Sequence, residues 1–253
     1  MPTPTPIRLY MFEGSNACLT ALLMLEHKQL PYDRVDLPPA LHAILVRRRG
    51  FPKMTVPAMI LDGKHVQGTL DISEALDAAF PANPLFPSDP EARARVREAE
   101  VWGEKFQNAT RRMFYAAARR DRSVFSTFLR PKLSPAGALA VRAATPLIIR
   151  IASKAHGSTD ERARQDLARL PENLDRIDAW LDDGTLGGER LNAADYQIAP
   201  NVRAMLHFAD LRGVLEARRC AEWARRVVPE YGGPVGKVLP EEWLVWLRGG
   251  AGA

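Results

Sequence analysis

The sequence predicts an α+β N-terminal domain followed by an all-α C-terminal domain, and three observations support this fold class. Before residue 80, short runs of strand-forming residues alternate with helical patterns. A proline-rich stretch at 81–90 then interrupts both patterns, because proline fits neither a helix interior nor a central strand. After residue 90, apolar residues such as Ala99, Trp102 and Phe106 recur at steps of three and four.

These breaks divide the chain into four expected segments. Residues 1–80 form the first domain, 81–90 the linker, 91–248 the all-helical domain and 249–253 a flexible tail. A length of 253 residues, of which 46% are hydrophobic, is sufficient for two modest cores.

The first strand and the first helix create a candidate anion site. The residues from Ile7 to Phe12 alternate as in a half-buried strand, and Ser15 precedes apolar residues at helical spacing. Ser15 and Asn16 therefore lie at the N-cap of a helix whose free amides carry a partial positive charge. A thiol at this position is stabilised as its anion, the reactive form of sulfur. An ordinary helix start without chemistry is the alternative interpretation.

A proline after residue 56 adds the second part of the candidate site. Residues 54–66 predict two short strands joined by an Asp62-Gly63 turn, with Pro57 at the edge of the first strand. We expect the Val56-Pro57 bond to be cis and the Val56 backbone to be open. An extended peptide then pairs with Val56 as an added strand does.

The order of these pieces resembles that of the glutathione S-transferase family. The resemblance covers nearly the whole chain and is moderately specific, because five pieces occur in the family's order. They are Ile7 to Tyr10, Leu25 to Tyr32, Val56 to Ala58, Thr69 to Ile72 and Leu191 to Asp195.

The resemblance implies a thioredoxin-like N-terminal domain with an all-α C-terminal domain, in which residues 1–80 bind a thiol. It puts Ser15 at the family's active position, as the residue that stabilises the thiolate, with Asn16 beside it. A shift in register instead makes Cys18 the active thiol, and this alternative stays open. The chain has no Cys-x-x-Cys pair, which argues against a dithiol redox cycle.

The resemblance also implies partners for the two ends of the thiol peptide. Where the family carries an acidic residue or glutamine followed by serine, this chain has Gly68 and Thr69. Thr69 keeps a hydroxyl for a carboxylate at a helix start. Asp71 is the substitute partner for the amino group, and Lys53 is the partner for the far carboxylate.

The first helix of the second domain is implied to bind the electrophile. In the family the electrophile lies between this helix and the thiol site, which makes Phe106, Arg111, Met113 and Tyr115 candidates for the acceptor pocket. Packing between helices is the alternative role for each of them.

The expected activity is conjugation of a low-molecular-weight thiol, glutathione or a substitute, to a small hydrophobic electrophile, with a role in detoxification. The thiol is a co-substrate, so we expect neither a tightly bound cofactor nor a metal. The alternative is a non-catalytic thiol- or ligand-binding protein, because Gly68 lacks the family's side chain. Family members are commonly two-fold dimers, which predicts a homodimer. Usage rich in arginine and alanine predicts a bacterial source.

Composition argues against several other classes. Cys18 and Cys220 are the only cysteines, which disfavours a disulfide scaffold and predicts a reducing cytoplasm. The first residues lack the pattern of a signal peptide, and no apolar run reaches the roughly 20 residues of a membrane span. The net charge is +5, but cations alternate with acids, as at 91–98, and no zinc or phosphate-binding motif accompanies them. We therefore expect no nucleic-acid partner.

Residues 121–160 form the least familiar segment. Three prolines predict its division into short pieces, and residues 138–155 mix large aliphatic residues with cations. We expect an inserted helical lid over the cleft. An amphipathic helix that lies on a membrane or on a partner is the alternative.

Overall fold

The N-terminal part of the fold is a four-stranded sheet with helices. The computed structural model describes residues 7–38, 41–129 and 135–245. The predicted first strand, first helix and paired short strands are confirmed. In chain order the elements are β1 (Ile7–Met11), α1 (Asn16–His27), β2 (Tyr32–Asp36), α2 (His42–Arg48), β3 (Ala58–Leu61), β4 (Lys64–Gln67) and α3 (Thr69–Ala79).

The strand directions bring four strand ends to one edge of the sheet. The strand order is β2-β1-β3-β4. β1 runs parallel to β2 and antiparallel to β3, and β3 runs antiparallel to β4. β1, β2 and β4 therefore end at the edge where β3 begins. We call this edge, which carries Met11, Asp36, Ala58 and Gln67, the site edge.

Both faces of the sheet are buried. Successive side chains of a strand point to opposite faces, and Leu9 pairs with Met59 on one face, where both are fully buried. α1 and α3 also contact each other. The cluster on the other face consists of Tyr10, Leu37, Val46, Phe51 and Ala58.

A buried lysine at the end of α1 ties the proline-rich stretch to α1 and α3. Lys28 Nζ lies 3.1 Å from Asp77 Oδ1 and donates hydrogen bonds to carbonyl oxygens in residues 80–83. Asp77 also accepts a hydrogen bond from the N–H of Leu85. These bonds satisfy backbone groups that have no helix or strand to pair with.

After the proline-rich stretch the described chain is helical. Asp89 accepts a hydrogen bond from the N–H of Ala92, and Pro90 occupies the first helical position, so the predicted start of the long helix is confirmed. The helices are α4 (Pro90–Arg120), α5 (Ser123–Leu129), α6 (Pro135–Ala155), α7 (Asp160–Ala168), α8 (Leu170–Asp182), α9 (Ala193–Leu206), α10 (Ala209–Glu216) and α11 (Arg219–Val227), followed by a 3₁₀ helix at Glu241–Trp243.

One expectation about these helices is wrong. Pro146, one of the three prolines expected to divide the segment 121–160, lies inside the continuous helix α6 on its exposed side, where solvent reaches the carbonyl that a proline leaves without an amide partner. Helices α7 and α8 are divided at Arg169, because Pro171 has no N–H to continue the turn before it.

The described chain forms two compact units. The first contains the residues up to 104 together with 189–197, and the second contains 105–188 and the residues from 198 onwards. Helix α4 thus contributes to both units, and a domain boundary at 81–90 stays a prediction. The expected tail at 249–253 lies outside the described residues.

The segment 189–197 is held in the first unit by a capping arrangement at the start of α9. Asp195 Oδ2 accepts a hydrogen bond from the N–H of Asn192, and Asn192 Oδ1 accepts one from the N–H of Ala194. Thr20 Oγ1 donates to the carbonyl oxygen of Tyr196 at 2.8 Å, which links this segment to α1. Asp195 therefore has a structural role.

None of the described helices is long and apolar enough to cross a bilayer. The described residues also contain no group of three or more histidine, cysteine or acidic side chains able to hold a metal ion.

Glu100 of α4 is a buried carboxyl group with an incomplete set of hydrogen bonds. Its Oε2 accepts a hydrogen bond from Arg97 Nη1 at 2.6 Å, whereas Oε1 has no partner among the described residues. Burial raises the pKa of Glu100 to about 7, although hydrogen bonding and the charge of Arg97 oppose this shift.

The substitution Glu100→Gln is expected to weaken the pH dependence of stability. The folded chain retains the Glu100 proton up to about pH 7, whereas the unfolded chain releases it near pH 4.5. The free energy of unfolding therefore falls by up to about 3 kcal/mol as pH rises through this range. Urea unfolding at several pH values measures the slope.

The exposed Glu104 on the same helix provides the matched control, because Glu104→Gln is expected to retain the wild-type slope. A Glu100→Gln variant with an unchanged slope contradicts the assignment.

Candidate functional site

Ser15 caps the helix that begins at the site edge. Its backbone is extended, with φ −88° and ψ 117°, and its Oγ accepts a hydrogen bond from the N–H of Cys18 at 3.4 Å. Ser15 and Asn16 are both half-buried. The amides of the first turn have no carbonyl partner within the helix, which gives this end of α1 a partial positive charge.

Cys18 lies one turn into α1 and has an exposed fraction of 0%. A thiol without exposed surface does not reach a bound electrophile, and the structural role of a small buried residue accounts for it. This burial favours Ser15 over Cys18 as the active residue.

The Val56-Pro57 peptide bond is cis, as the sequence predicted. The carbonyl oxygen of Pro57 accepts a hydrogen bond from the N–H of Gly68 at 3.1 Å, which joins the start of β3 to the start of α3. The side chain of Val56 packs against the buried cluster on one face of the sheet that contains Tyr10. No residue in the described part of the chain forms a backbone hydrogen bond with Val56, so its N–H and carbonyl groups are available to a ligand.

Gln67 fixes the segment before Pro57, and the sequence analysis did not single it out. Its Oε1 accepts a hydrogen bond from the N–H of Lys53 at 2.8 Å. Its Nε2 donates to the carbonyl oxygens of Lys53 and Thr55, at 2.8 and 2.7 Å. The one local signal is an amide side chain at a strand end before a Gly-Thr helix start, and this signal is too common to identify such a role.

Gly68 is the N-cap of α3 and has a backbone conformation that only glycine adopts readily. Its φ is +104° and its ψ is 154°. An acidic residue or glutamine, as in the resembling family, is strained in this conformation. Thr69 follows as the first residue of α3 and is 3% exposed, so little of its side chain reaches the surface. The first-turn amides of α3 are the main anion-binding groups at this point.

Lys53 and Asp71, the two charged residues predicted to bind a thiol peptide, lie close to each other. The Nζ of Lys53 is 3.7 Å from Oδ2 of Asp71, and both side chains are well exposed. An exposed pair of this kind contributes little to stability and opens easily. Both charges are therefore available to a zwitterionic ligand.

The site edge thus gathers three polar features from separate parts of the sequence. Ser15 follows the end of β1, Pro57 directly precedes β3, and Gly68 directly follows β4. In open sheets with parallel strands, ligands bind beyond the carboxyl ends of those strands. Two helix N-termini and one hydroxyl at this edge suit an anionic ligand with an extended backbone.

A comparison with protein families agrees with this geometry. Residues 9–84 match the family described as glutathione S-transferase, N-terminal domain. These residues belong to the glutathione S-transferase family.

Solved structures show the glutathione S-transferase fold over 89% and 93% of the chain and confirm the predicted two-part architecture. The β-etherase LigF from Sphingobium sp. strain SYK-6 is 22% identical, with a TM-score of 0.65, and the match covers 89% of this chain and 96% of that chain. A glutathione S-transferase from Methylobacterium radiotolerans, in complex with glutathione sulfonate, is 18% identical, with a TM-score of 0.62 and coverage of 93% and 99%. FzlA from C. crescentus is 18% identical, with a TM-score of 0.60 and coverage of 91% and 96%. No curated protein sequence matches the chain.

Two of the predicted acceptor residues of this glutathione S-transferase fold lie in the core of the second unit. Phe106 and Met113 are buried, and both line a small gap with Leu167 and Leu170. Because neither side chain is exposed, packing between helices accounts for both of them.

The other two predicted acceptor residues, Arg111 and Tyr115, are half-buried on α4. Arg111 Nη1 donates a hydrogen bond to Asn108 Oδ1 at 2.8 Å. The ring of Tyr115 stacks on His156, with 5.7 Å between the ring centroids, and burial raises the pKa of the Tyr115 phenol. These two side chains keep the surface exposure that an acceptor contact requires.

The substitution Gly68→Ala is expected to destabilise the protein by about 1–3 kcal/mol, because alanine is strained at this φ. Space does not limit the change, since the nearest atom to an added Cβ is Lys53 Nζ at 3.9 Å. Gly213→Ala is the control: Gly213 lies in α10 with nothing within 4 Å of an added Cβ. We expect this control to be neutral or to stabilise by up to about 1 kcal/mol. Urea unfolding compares the two variants, and equal effects contradict the conformational argument.

Proposed function

We propose that this chain is a glutathione S-transferase-like enzyme that conjugates glutathione, or another low-molecular-weight thiol, to a small hydrophobic electrophile. One observation carries the proposal: the hydroxyl of Ser15 caps α1 at the same sheet edge as the Val56 backbone and the N-terminus of α3. A thiol peptide needs these three features, for its sulfur, its backbone and a carboxylate.

The role of Ser15 follows from the hydrogen-bonding capacity of a hydroxyl group. Its oxygen accepts from the N–H of Cys18, so its own hydrogen is free to donate to a sulfur anion. This hydrogen bond and the positive end of α1 both favour the thiolate over the thiol, whose free pKa is about 8.5. A larger thiolate fraction at neutral pH means a more reactive nucleophile.

The reaction forms a bond between the bound sulfur and an electrophilic carbon. The thiol proton leaves to solvent when the thiolate forms, and the lone pair of the sulfur makes the new C–S bond. In a substitution the leaving group departs with the electrons of its own bond, and in an addition a solvent proton neutralises the resulting carbanion. Proximity of the two reactants supplies much of the remaining acceleration.

The thiol peptide is bound along its length by the predicted residues. The N–H and carbonyl groups of Val56 pair with its backbone beside Pro57, and Asn16 lies next to the sulfur. The first-turn amides of α3, with the small exposed part of Thr69, hold one carboxylate.

For the electrophile we propose contacts with Arg111 and Tyr115, which retain surface on α4 and which the resemblance to the family supports. Phe106 and Met113 are buried, and their packing fixes the position of α4.

The substitution Ser15→Ala is expected to lower kcat/KM for conjugation of glutathione to a nitroaryl halide by about 100-fold, the cost of one donor aimed at a developing anion. Removal of the helix cap also costs about 1 kcal/mol of stability. Initial rates at saturating electrophile measure the first effect, and urea unfolding measures the second.

Two further variants separate catalysis from capping. Ser15→Asp retains the cap but repels a thiolate, so we expect full stability with lost turnover. Ser15→Thr retains both the cap and the hydroxyl, so we expect partial activity. Unchanged turnover in Ser15→Ala contradicts the role of Ser15.

The substitutions Lys53→Met and Asp71→Asn are each expected to weaken glutathione binding by about tenfold, because each removes one charge that faces a charged end of the peptide. Titration calorimetry measures the affinity. Lys64→Met is the control: Lys64 is exposed at the start of β4, at the opposite edge of the sheet, and its removal is expected to leave the affinity unchanged. An equal loss in all three variants indicates general charge attraction and contradicts the assignment.

A non-catalytic binding protein is the second candidate, and one observation favours it. Gly68 offers no side chain to the amino group of a thiol peptide, and its backbone conformation disfavours any replacement. Thermal shifts with several cellular thiols, together with turnover assays, separate the two candidates. Stabilisation by a thiol without turnover of any electrophile supports the binding protein.

The proposal also includes a homodimer in a bacterial cytoplasm, with a role in detoxification. The resemblance to a commonly dimeric family supports the dimer. The presence of only two cysteines, both buried, agrees with a reducing compartment.

A further inference from the structure

Helix α6 has a solvent-facing side that is unusually apolar. Leu139, Leu147 and Ile151 are 69%, 59% and 57% exposed. Their spacing of eight and four residues puts them on one side of the helix, and Ala143 lies between them at the same spacing. We call this side of α6, from Leu139 to Lys154, the outer face.

The opposite side of α6 is packed, so the helix has a fixed orientation. Thr145, Ile148 and Ile149 are buried in the second unit. Arg119 Nη1 also donates a hydrogen bond to Ser153 Oγ at 3.0 Å, close to the C-terminal end of α6. The apolar residues of the outer face therefore do not contribute to the core, and an exposed apolar surface of this kind is typical of an interaction site.

The charged residues of the outer face are all cations. Arg142, Arg150 and Lys154 are exposed among its apolar residues. The sequence from 135 to 155 contains no aspartate or glutamate. At the start of α4, by contrast, the cations at 93–97 lie between Glu91 and Glu98.

We propose that the outer face of α6 docks on an anionic phospholipid surface, with the helix lying in the plane of the membrane. Its 21 residues extend over about 31 Å at 1.5 Å per residue. The apolar side chains enter the boundary between head groups and acyl chains. The long stems of the arginines and the lysine let their charged ends reach lipid phosphates. This binding is independent of the thiol chemistry at the site edge.

A second copy of this chain fits the outer face less well. A two-fold contact through the outer face brings two identical sets of three cations together, and α6 has no acidic residue to neutralise their repulsion. Cores of protein interfaces are also poor in lysine and in charge generally. An anionic membrane complements both the charge and the apolar residues.

Vesicle co-sedimentation of the full chain tests the proposal. The vesicles contain phosphatidylcholine, either alone or with about 30 mol% phosphatidylserine. We expect binding to the anionic vesicles only, and a marked decrease at about 0.5 M salt, which screens exposed charges. Failure of the wild-type chain to bind anionic vesicles at low salt overturns the proposal.

Two triple variants locate the binding surface. The variant with Arg142→Glu, Arg150→Glu and Lys154→Glu is expected to lose at least about 100-fold in vesicle partitioning, since each lost cation costs roughly fivefold and each new carboxylate is repelled by the anionic lipid. The variant with Leu139→Asn, Leu147→Asn and Ile151→Asn is expected to lose binding with an unchanged midpoint of thermal unfolding. A midpoint preserved in both variants indicates that the fold is intact.

A matched variant controls for total charge. It carries Lys64→Glu, Arg95→Glu and Lys105→Glu, which change three exposed cations outside α6 and shift the net charge equally. We expect it to retain most of the binding, whereas an equal loss overturns the proposal. Light scattering gives the oligomeric state of each variant. If the α6 variants change that state while vesicle binding persists, the face belongs to a second copy and the proposal is overturned.

Discussion

The direction of β3 organises the candidate site. β3 runs antiparallel to both of its neighbours, so it begins at the edge where β1 and β4 end. Three chain segments that are far apart in sequence, around Ser15, Pro57 and Gly68, therefore meet at one edge. With β3 reversed, Pro57 would lie at the opposite edge and the two helix N-termini would face no extended backbone.

The electrostatics of this edge come from the backbone more than from charged side chains. Two helices, α1 and α3, begin there, and the first-turn amides of each have no carbonyl partner within their own helix. Gln67 holds the segment 53–55 with three hydrogen bonds, which fixes the backbone that leads into Pro57. Lys53 and Asp71 add opposite charges on the exposed rim. The resulting site suits a zwitterionic peptide with a sulfur anion, because each part of such a ligand finds a partner of opposite charge.

Local patterns predicted much of the fold and several geometric features of the site edge. The strand before Ser15, the cap at Ser15, the cis bond before Pro57 and the start of α4 all depend on residues within a few positions of each other. Features that depend on distant contacts were not predicted: the clamp formed by Gln67 and the burial of Glu100 require neighbours from other elements. The same limit applies to Phe106 and Met113, whose spacing on α4 is compatible with a pocket or a core until their burial is known. The helix break expected in the segment 121–160 does not occur at Pro146. A proline on the exposed side of a helix loses a hydrogen bond that solvent replaces, so the helix continues through it.

The central claim is that the Ser15 end of α1 lowers the pKa of a bound thiol. Ultraviolet absorbance of the thiolate, titrated with pH for glutathione bound to the wild-type chain and to Ser15→Ala, measures this pKa directly. The account predicts a value at least about one unit below the free thiol pKa of about 8.5 for the wild type, and a value that returns toward 8.5 in Ser15→Ala. A bound thiol that titrates at the same pH as free glutathione contradicts it.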